Sequence, residues 1–146
     1  MEGALFAGSV IDPGTIQAYL ETDYHVRGDM PVTLNVGIAN PALLALYRLQ
    51  HVESCAFITA CNPLGQTFDE TTNLDRQAAL AHELQFRNIT FIEGIGQHPT
   101  NKWSGEPSFL ALGVSLEAAK SLGIKYEQNA IIWSGPAAIP QLILLR

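Results

Sequence analysis

Few side chains in this sequence could carry chemistry, and most of them are amides. Glu106 stands three residues after Trp103. If the indole and a sheet edge enclose it, burial would raise its pKa and suit it to general acid or base work. Left in an open loop, it would be an ordinary solvated carboxylate. His98 is the second candidate for a base. Asn62, Asn73, Gln128 and Asn129 could orient a polar ligand, and Trp103 could either stack on a flat one or cover the core. Arg76 lies one helical turn beyond Asn73, where it could bind an anion or pair with Glu70 or Asp75. Asn62-Pro63 also reads simply as an Asx-type turn closing a strand.

Other chemistries are absent from the sequence. His25, His51 and His82 have no metal-ligand spacing, so neither a metal nor a cofactor is expected. No P-loop or Gly-x-Ser-x-Gly elbow occurs. Gly94-Ile95-Gly96 lacks the third glycine of a dinucleotide fingerprint, because Pro99 takes its place. Neither cysteine has a histidine or a helix N-terminus beside it, so a nucleophilic cysteine is unsupported.

The charge inventory explains why so few candidates exist. Of 146 residues, 8 are basic and 14 acidic, for a net charge of −6, and only 15% are charged against 47% apolar. The length suits a single domain over 1–146, with residues 1–10 as a looser lead-in. The composition excludes disorder. Without a basic cluster there is no footprint for nucleic acid or an anionic membrane. The N-terminus carries Glu2 where a secretory signal needs positive charge, and no apolar run is long enough to span a bilayer. A cytoplasmic location is therefore expected, with Cys55 and Cys61 as buried free thiols near opposite ends of one strand.

Periodicity and capping supply the elements that would position the candidates. Asp12-Pro13 and Asn40-Pro41 are cap-plus-proline helix starts. Thr72 with Asp75 suggests a third start, and Ser115 opens a fourth helix that should stop at Gly123. Strands are expected at 24–27 and 32–38 around the Gly28-Asp29 turn, then at 54–60, 89–95, 108–114, 130–133 and 141–145. Residues 96–105 read as an irregular polar loop. This order predicts an α/β (α+β) domain, one mixed sheet of about six or seven strands flanked by about four helices.

If the strand-helix-strand units are parallel, the strands at 32–38, 54–60 and 89–95 end at one sheet edge. The strands at 108–114 and 130–133 then begin there. Asn40, Asn62, Gln66, Asn73, Arg76, Gln97, His98, Asn101, Lys102, Trp103, Glu106, Gln128 and Asn129 would gather at that edge, where open sheets usually hold ligands.

Several segments in order also resemble a bacterial family, domain of unknown function 3293. They are Ala18-Tyr19 with Thr22, Tyr24 and Val26; Phe57-Ile58-Thr59-Ala60 before Asn62-Pro63; Asn73, Arg76 and Leu80; Trp103 with Glu106-Pro107-Ser108-Phe109-Leu110; and Gln128-Asn129-Ala130-Ile131. Cys61 stands where the resemblance leads one to expect an aromatic residue. The resemblance implies a small stand-alone bacterial protein and implies no reaction.

Three functions fit these residues. The edge could bind a small polar metabolite, nucleotide-like or amide-bearing, with Glu106 and His98 catalytic and Asn62, Asn73, Arg76, Trp103, Gln128 and Asn129 as ligand-binding residues. The chain could instead be an interaction module or homodimer. In the third reading, the Asn, Trp and Glu cluster is a structural latch that satisfies loop backbone.

Overall fold

Three helices begin where the sequence places a capping side chain. Asp12 accepts from the Thr15 N–H (3.2 Å), Asn40 from Leu43 (2.9 Å) and Ser115 from Ala118 (3.1 Å). The remaining helix starts earlier than Thr72 and Asp75 suggest, because Asp69 caps it by accepting from the Thr72 N–H at 2.6 Å. The computed structural model describes residues 8–101 and 105–146. Its elements are α1 (Pro13–Glu21), β1 (Asp23–Val26), β2 (Val32–Leu34), α2 (Pro41–Gln50), β3 (Cys55–Ile58), a 3-10 turn (Pro63–Gly65), α3 (Glu70–Phe86), β4 (Phe91–Gln97), β5 (Glu106–Leu112), α4 (Leu116–Lys125), β6 (Ala130–Ser134) and β7 (Gln141–Leu144).

The seven strands form one sheet in the order β2-β1-β4-β5-β3-β6-β7. Every neighbouring pair is antiparallel, so the sheet is not mixed as expected. The crossovers through α3 and α4 each skip one strand, whereas α2 links β2 to β3 across three. α3 carries the chain from β3 past β5 to β4, and α4 carries it from β5 past β3 to β6. Strands joined by a helix still run in the same direction, but an oppositely directed strand lies between them. The ends of β3 and β4 therefore share an edge with the starts of β5 and β6, as the sequence argument requires, although its premise of a parallel sheet fails. Asn40 is not at that edge. The Gly37 N–H reaches Pro140 O (2.8 Å) and the Asn40 N–H reaches Ala138 O (3.0 Å), so the sheet curls until the segments beside its two edge strands meet.

Strand alternation divides the core into two layers. Tyr24, Val26, Val32, Leu34, Phe57, Leu110 and Ile132 face α2, with its buried Leu43, Leu46 and Tyr47. Ala56, Ile58, Phe109, Ala111 and Ile131 face α3 and α4 through Leu80, Leu84, Ala119 and Leu122. Gly94 has a packing reason. A Cβ there would meet His25 O at 2.6 Å and the Phe57 ring at 2.8 Å. Phe57 in turn stacks edge-on against Tyr24 with ring centroids 5.3 Å apart.

Several boundaries differ from expectation. β2 stops at Leu34, and a turn at residues 36–37 follows it. α4 continues through Gly123 to Lys125. Gly123 is there for close approach, since a Cβ would lie 2.5 Å from Leu145 and 2.9 Å from Ile131. β5 begins at Glu106 instead of Ser108, so the key carboxylate sits on a strand and not in the loop. Residues 1–7 of the expected N-terminal lead-in lie outside the described residues. Beyond them, Ser9 Oγ donates to Arg146 O (2.8 Å) and Ile11 is buried. Cys55 and Cys61 are both buried and free.

Candidate functional site

The chain leaving β3 enters a turn whose backbone groups must find partners, since regular pairing ends at Ile58. Helix α3 supplies most of them from one face. Residues 73, 76 and 77 lie three and four positions apart and so point the same way. Gln77 Oε1 accepts from the Ala60 N–H (2.9 Å), and Arg76 Nε donates to Ala60 O (2.7 Å). Asn73 Oδ1 accepts from the Asn62 N–H (2.9 Å), while its Nδ2 donates to Asn62 Oδ1 (2.9 Å) and Phe68 O (3.3 Å). From the other side, Gln128 Nε2 donates to Cys61 O (3.1 Å), and the Leu64 N–H donates to Glu127 O (2.6 Å).

Asn62 is the hub of this loop. Its backbone is left-handed at φ 49°, a conformation asparagine tolerates better than most residues. Its Oδ1 also accepts from the Phe68 N–H (3.0 Å), and its Nδ2 donates to Glu106 Oε2 (2.9 Å). Arg76 completes the latch by donating from Nη2 to Tyr126 O (2.6 Å), with Glu127 at 3.6 Å from Nη1. It pairs with neither Glu70 nor Asp75, because the loop carbonyls are closer to its fork. Asn62, Asn73, Arg76 and Gln128 thus converge as the sequence suggests, but largely on backbone groups.

Glu106 differs from these residues. It is half-buried, Oε2 is held by the Asn62 amide, and among the described residues Oε1 has no hydrogen-bond partner and no cation pairs with the carboxylate. Burial pushes its pKa above the usual carboxylate value, with the Asn62 N–H opposing the shift.

A second, shorter chain of bonds runs beside it. Asn129 Nδ2 donates to the Tyr19 hydroxyl (3.2 Å), and Arg146 Nη1 donates to Asn129 Oδ1 (2.9 Å). Tyr24 holds this end of α1 by donating to Tyr19 O (2.7 Å). Gly65, left-handed at φ +74°, leaves room for the Asn129 amide, which a Cβ would approach to 2.6 Å. Burial raises the Tyr19 pKa. The Asn129 bond opposes this, the Glu106 charge adds to it and the Arg146 charge lowers it.

His98 sits apart from this chain. Its Nδ1 accepts from the backbone N–H groups of Thr100 (3.2 Å) and Asn101 (3.1 Å), and Nε2 faces Glu21 Oε1 at 2.9 Å. Both ring nitrogens are engaged in holding a turn to the end of α1. Trp103 and Lys102 lie outside the described residues. Glu93 is exposed. Sequence reasoning missed Tyr19, Gln77 and Arg146 as parts of the site. Gln77 was findable from its spacing to Asn73, whereas the other two arrive only through the curl of the sheet.

The opposite sheet edge holds an open depression of about 840 Å³ lined by Tyr47, Arg48, His51, Glu53 and Gly113 among others. No side chain of the polar cluster reaches it. Among the described residues, no group of three or more His, Cys, Asp or Glu could hold a metal ion. Nor is any helix among them long and apolar enough to cross a membrane.

Fold and site together define a small α+β domain whose antiparallel sheet carries at one edge a tightly bonded loop and a carboxylate with no ion pair among the described residues. The chain belongs to the family described as "Protein of unknown function (DUF3293)", whose model matches residues 58–131, about half of its length. That stretch contains the loop, α3, Glu106 and Asn129, and leaves out Tyr19 and Arg146. No curated protein and no solved structure matches the chain.

Proposed function

We propose that the protein binds a small polar ligand at the Glu106 edge, with Glu106 as hydrogen-bond acceptor and as general acid or base in any reaction there. One observation carries the reading: a half-buried carboxylate is fixed through one oxygen by Asn62, while its other oxygen has no partner among the described residues. A raised carboxylate pKa beside loops at a sheet edge supports it. The amides act here mainly by fixing the loop, so a ligand's contacts fall to Glu106 and its neighbours. Because both His98 nitrogens are engaged, proton transfer is assigned to Glu106 alone. Two buried free thiols suit a reducing compartment, which supports a cytoplasmic location.

Thermal-shift measurements with a panel of small polar metabolites test this on wild type and Glu106→Gln. We expect at least one class to stabilise wild type and to lose that effect in the variant. Equal shifts in both proteins would place the ligand elsewhere, and no shift in either would remove the reading.

A further inference from the structure

Resting on that reading, we infer that the ligand is an organic cation, an ammonium or amidinium on an apolar stem, and that Gly96 leaves the space for it between Glu106 and the Tyr24 ring. Strand pairing fixes the three residues together. Gly96 lies opposite Tyr24 of β1 on one side and opposite Glu106 of β5 on the other. Residues paired directly across antiparallel strands point to one face, so Tyr24 and Glu106 stand on the same face roughly 10 Å apart, with no side chain between them. Gly96 is only half-buried although strands pair with it on both sides, so what stays accessible is sheet surface.

Among the described residues, nothing in the fold requires glycine at position 96. Its backbone is not left-handed. A Cβ there would meet two Tyr24 ring carbons at 3.5 and 3.7 Å and Thr22 Cγ2 at 3.8 Å, which is ordinary contact. Gly94, two residues earlier, is the contrast, because a Cβ there would lie 2.6 Å from a backbone oxygen. Glycine inside a strand weakens it and, without a bend or a packing reason, marks a place where another molecule approaches the backbone. The two walls of that place differ. On one side Glu106 offers a carboxylate oxygen with no hydrogen-bond partner and no cation among the described residues. On the other are the ring carbons of Tyr24, which is buried and whose hydroxyl donates to Tyr19 O. A cationic N–H group makes a charge-assisted bond to the first while its apolar stem rests against the second. An anion would be repelled by the carboxylate, and the net charge of −6 favours cations on approach.

Ligand-observed NMR titration of the full chain, suited to the weak binding of small probes, tests this. The probes are butylamine, benzylamine and benzamidine, with butanol, benzyl alcohol and benzamide as their neutral counterparts. We expect at least one cation to bind, with its neutral counterpart roughly 10–100-fold weaker, the loss of one charged hydrogen bond. Glu106→Gln should erase that preference. Gly96→Ala should weaken cation binding by about tenfold or more. It should nevertheless keep or raise the melting temperature, whereas Gly94→Ala should lower it. A Gly96→Ala protein that melts well below wild type would give the glycine a structural role, and one that binds the cation as tightly would place the ligand elsewhere. Either result overturns the inference. Equal binding of the neutral probes also overturns it, while Glu106 keeps its ligand. Should no cation bind while another polar metabolite shifts the melting of wild type but not of Glu106→Gln, only this inference is lost. If nothing binds, the reading beneath it falls too.

Discussion

Glu83 and Glu106 are both carboxylates drawn into the fold, yet they end in opposite electrostatic states. Glu83 lies on α3 against α4, where Lys125 (2.8 Å), the Tyr126 hydroxyl (2.7 Å) and Arg87 surround it. Burial alone would raise its pKa, but those bonds and charges outweigh it and hold the carboxyl below its usual value. Glu106 has one amide donor and no cation among the described residues, so burial wins and its pKa rises. The lesson is where to look for function. A carboxylate that the fold neutralises contributes stability, whereas one left half-buried and unpaired costs stability and is poised for a ligand. The latch around Asn62 belongs to the first kind, and the carboxylate it holds belongs to the second.

Substitutions at four positions can break or sharpen this contrast. The largest effect is expected for Arg76→Met, which strips the donors from Ala60 O and Tyr126 O while keeping the stem. Unmatched carbonyls cost about 2–4 kcal/mol in all. That should lower Tm by roughly 5–15 °C in calorimetry for a chain of this size. A fall of a degree or two would mean that the loop does not depend on the latch.

Asn62→Ala should cost about 2–3 kcal/mol in urea unfolding, through lost bonds to Asn73, Phe68 and Glu106 and through strain at φ 49°. Asn62→Gly removes the strain and should recover ~1 kcal/mol of it. Identical losses would assign the whole effect to the side chain.

Glu83→Gln should lose about 1 kcal/mol at low salt and less at high salt, because Lys125 and Arg87 are solvent-exposed partners. The sign follows from its lowered pKa. The contribution is present above the unfolded carboxyl value, near 4.5, and is lost as pH falls through the folded one. Wild type and variant should therefore converge in acid.

The smallest change, and the most informative, is expected for Glu106→Gln. A raised folded pKa makes the ionised group a liability, so the variant should match or slightly exceed wild-type Tm at pH 7. That advantage should shrink as pH falls from the raised value toward 4.5. A marked destabilisation at pH 7 would instead make Glu106 part of the latch. Gain of stability together with loss of ligand binding would separate it from Asn62 and Arg76.

Much of this was readable locally. The cap-plus-proline pairs at residues 12–13 and 40–41 placed two helices, because a capping side chain and a fixed φ act within one turn. Asn62, Asn73, Arg76 and Gln128 were identifiable as a group, since strand direction alone carries their segments to one edge. Their partners were not, because an amide or guanidinium offers the same donors to a ligand as to a loop carbonyl. Only the packing of α3 against residues 59–68 chose the carbonyls. Glu106 looked like a loop residue because Pro107 disguises the start of a strand, and only its pairing opposite Gly96 draws it into the sheet.

By itself, then, the sequence determined the element order, the apolar layers and the edge on which polar groups gather. Each of these follows from short-range periodicity and chain direction. Tertiary structure alone decided that the sheet is wholly antiparallel, since nothing local reveals that a crossover skips a strand. It also decided that the curl of the sheet brings Tyr19 and Arg146, 127 positions apart in the chain, to opposite ends of the Asn129 amide. Hydrogen bonds between residues so distant in sequence depend on the whole backbone having folded, so no window of residues could have announced them.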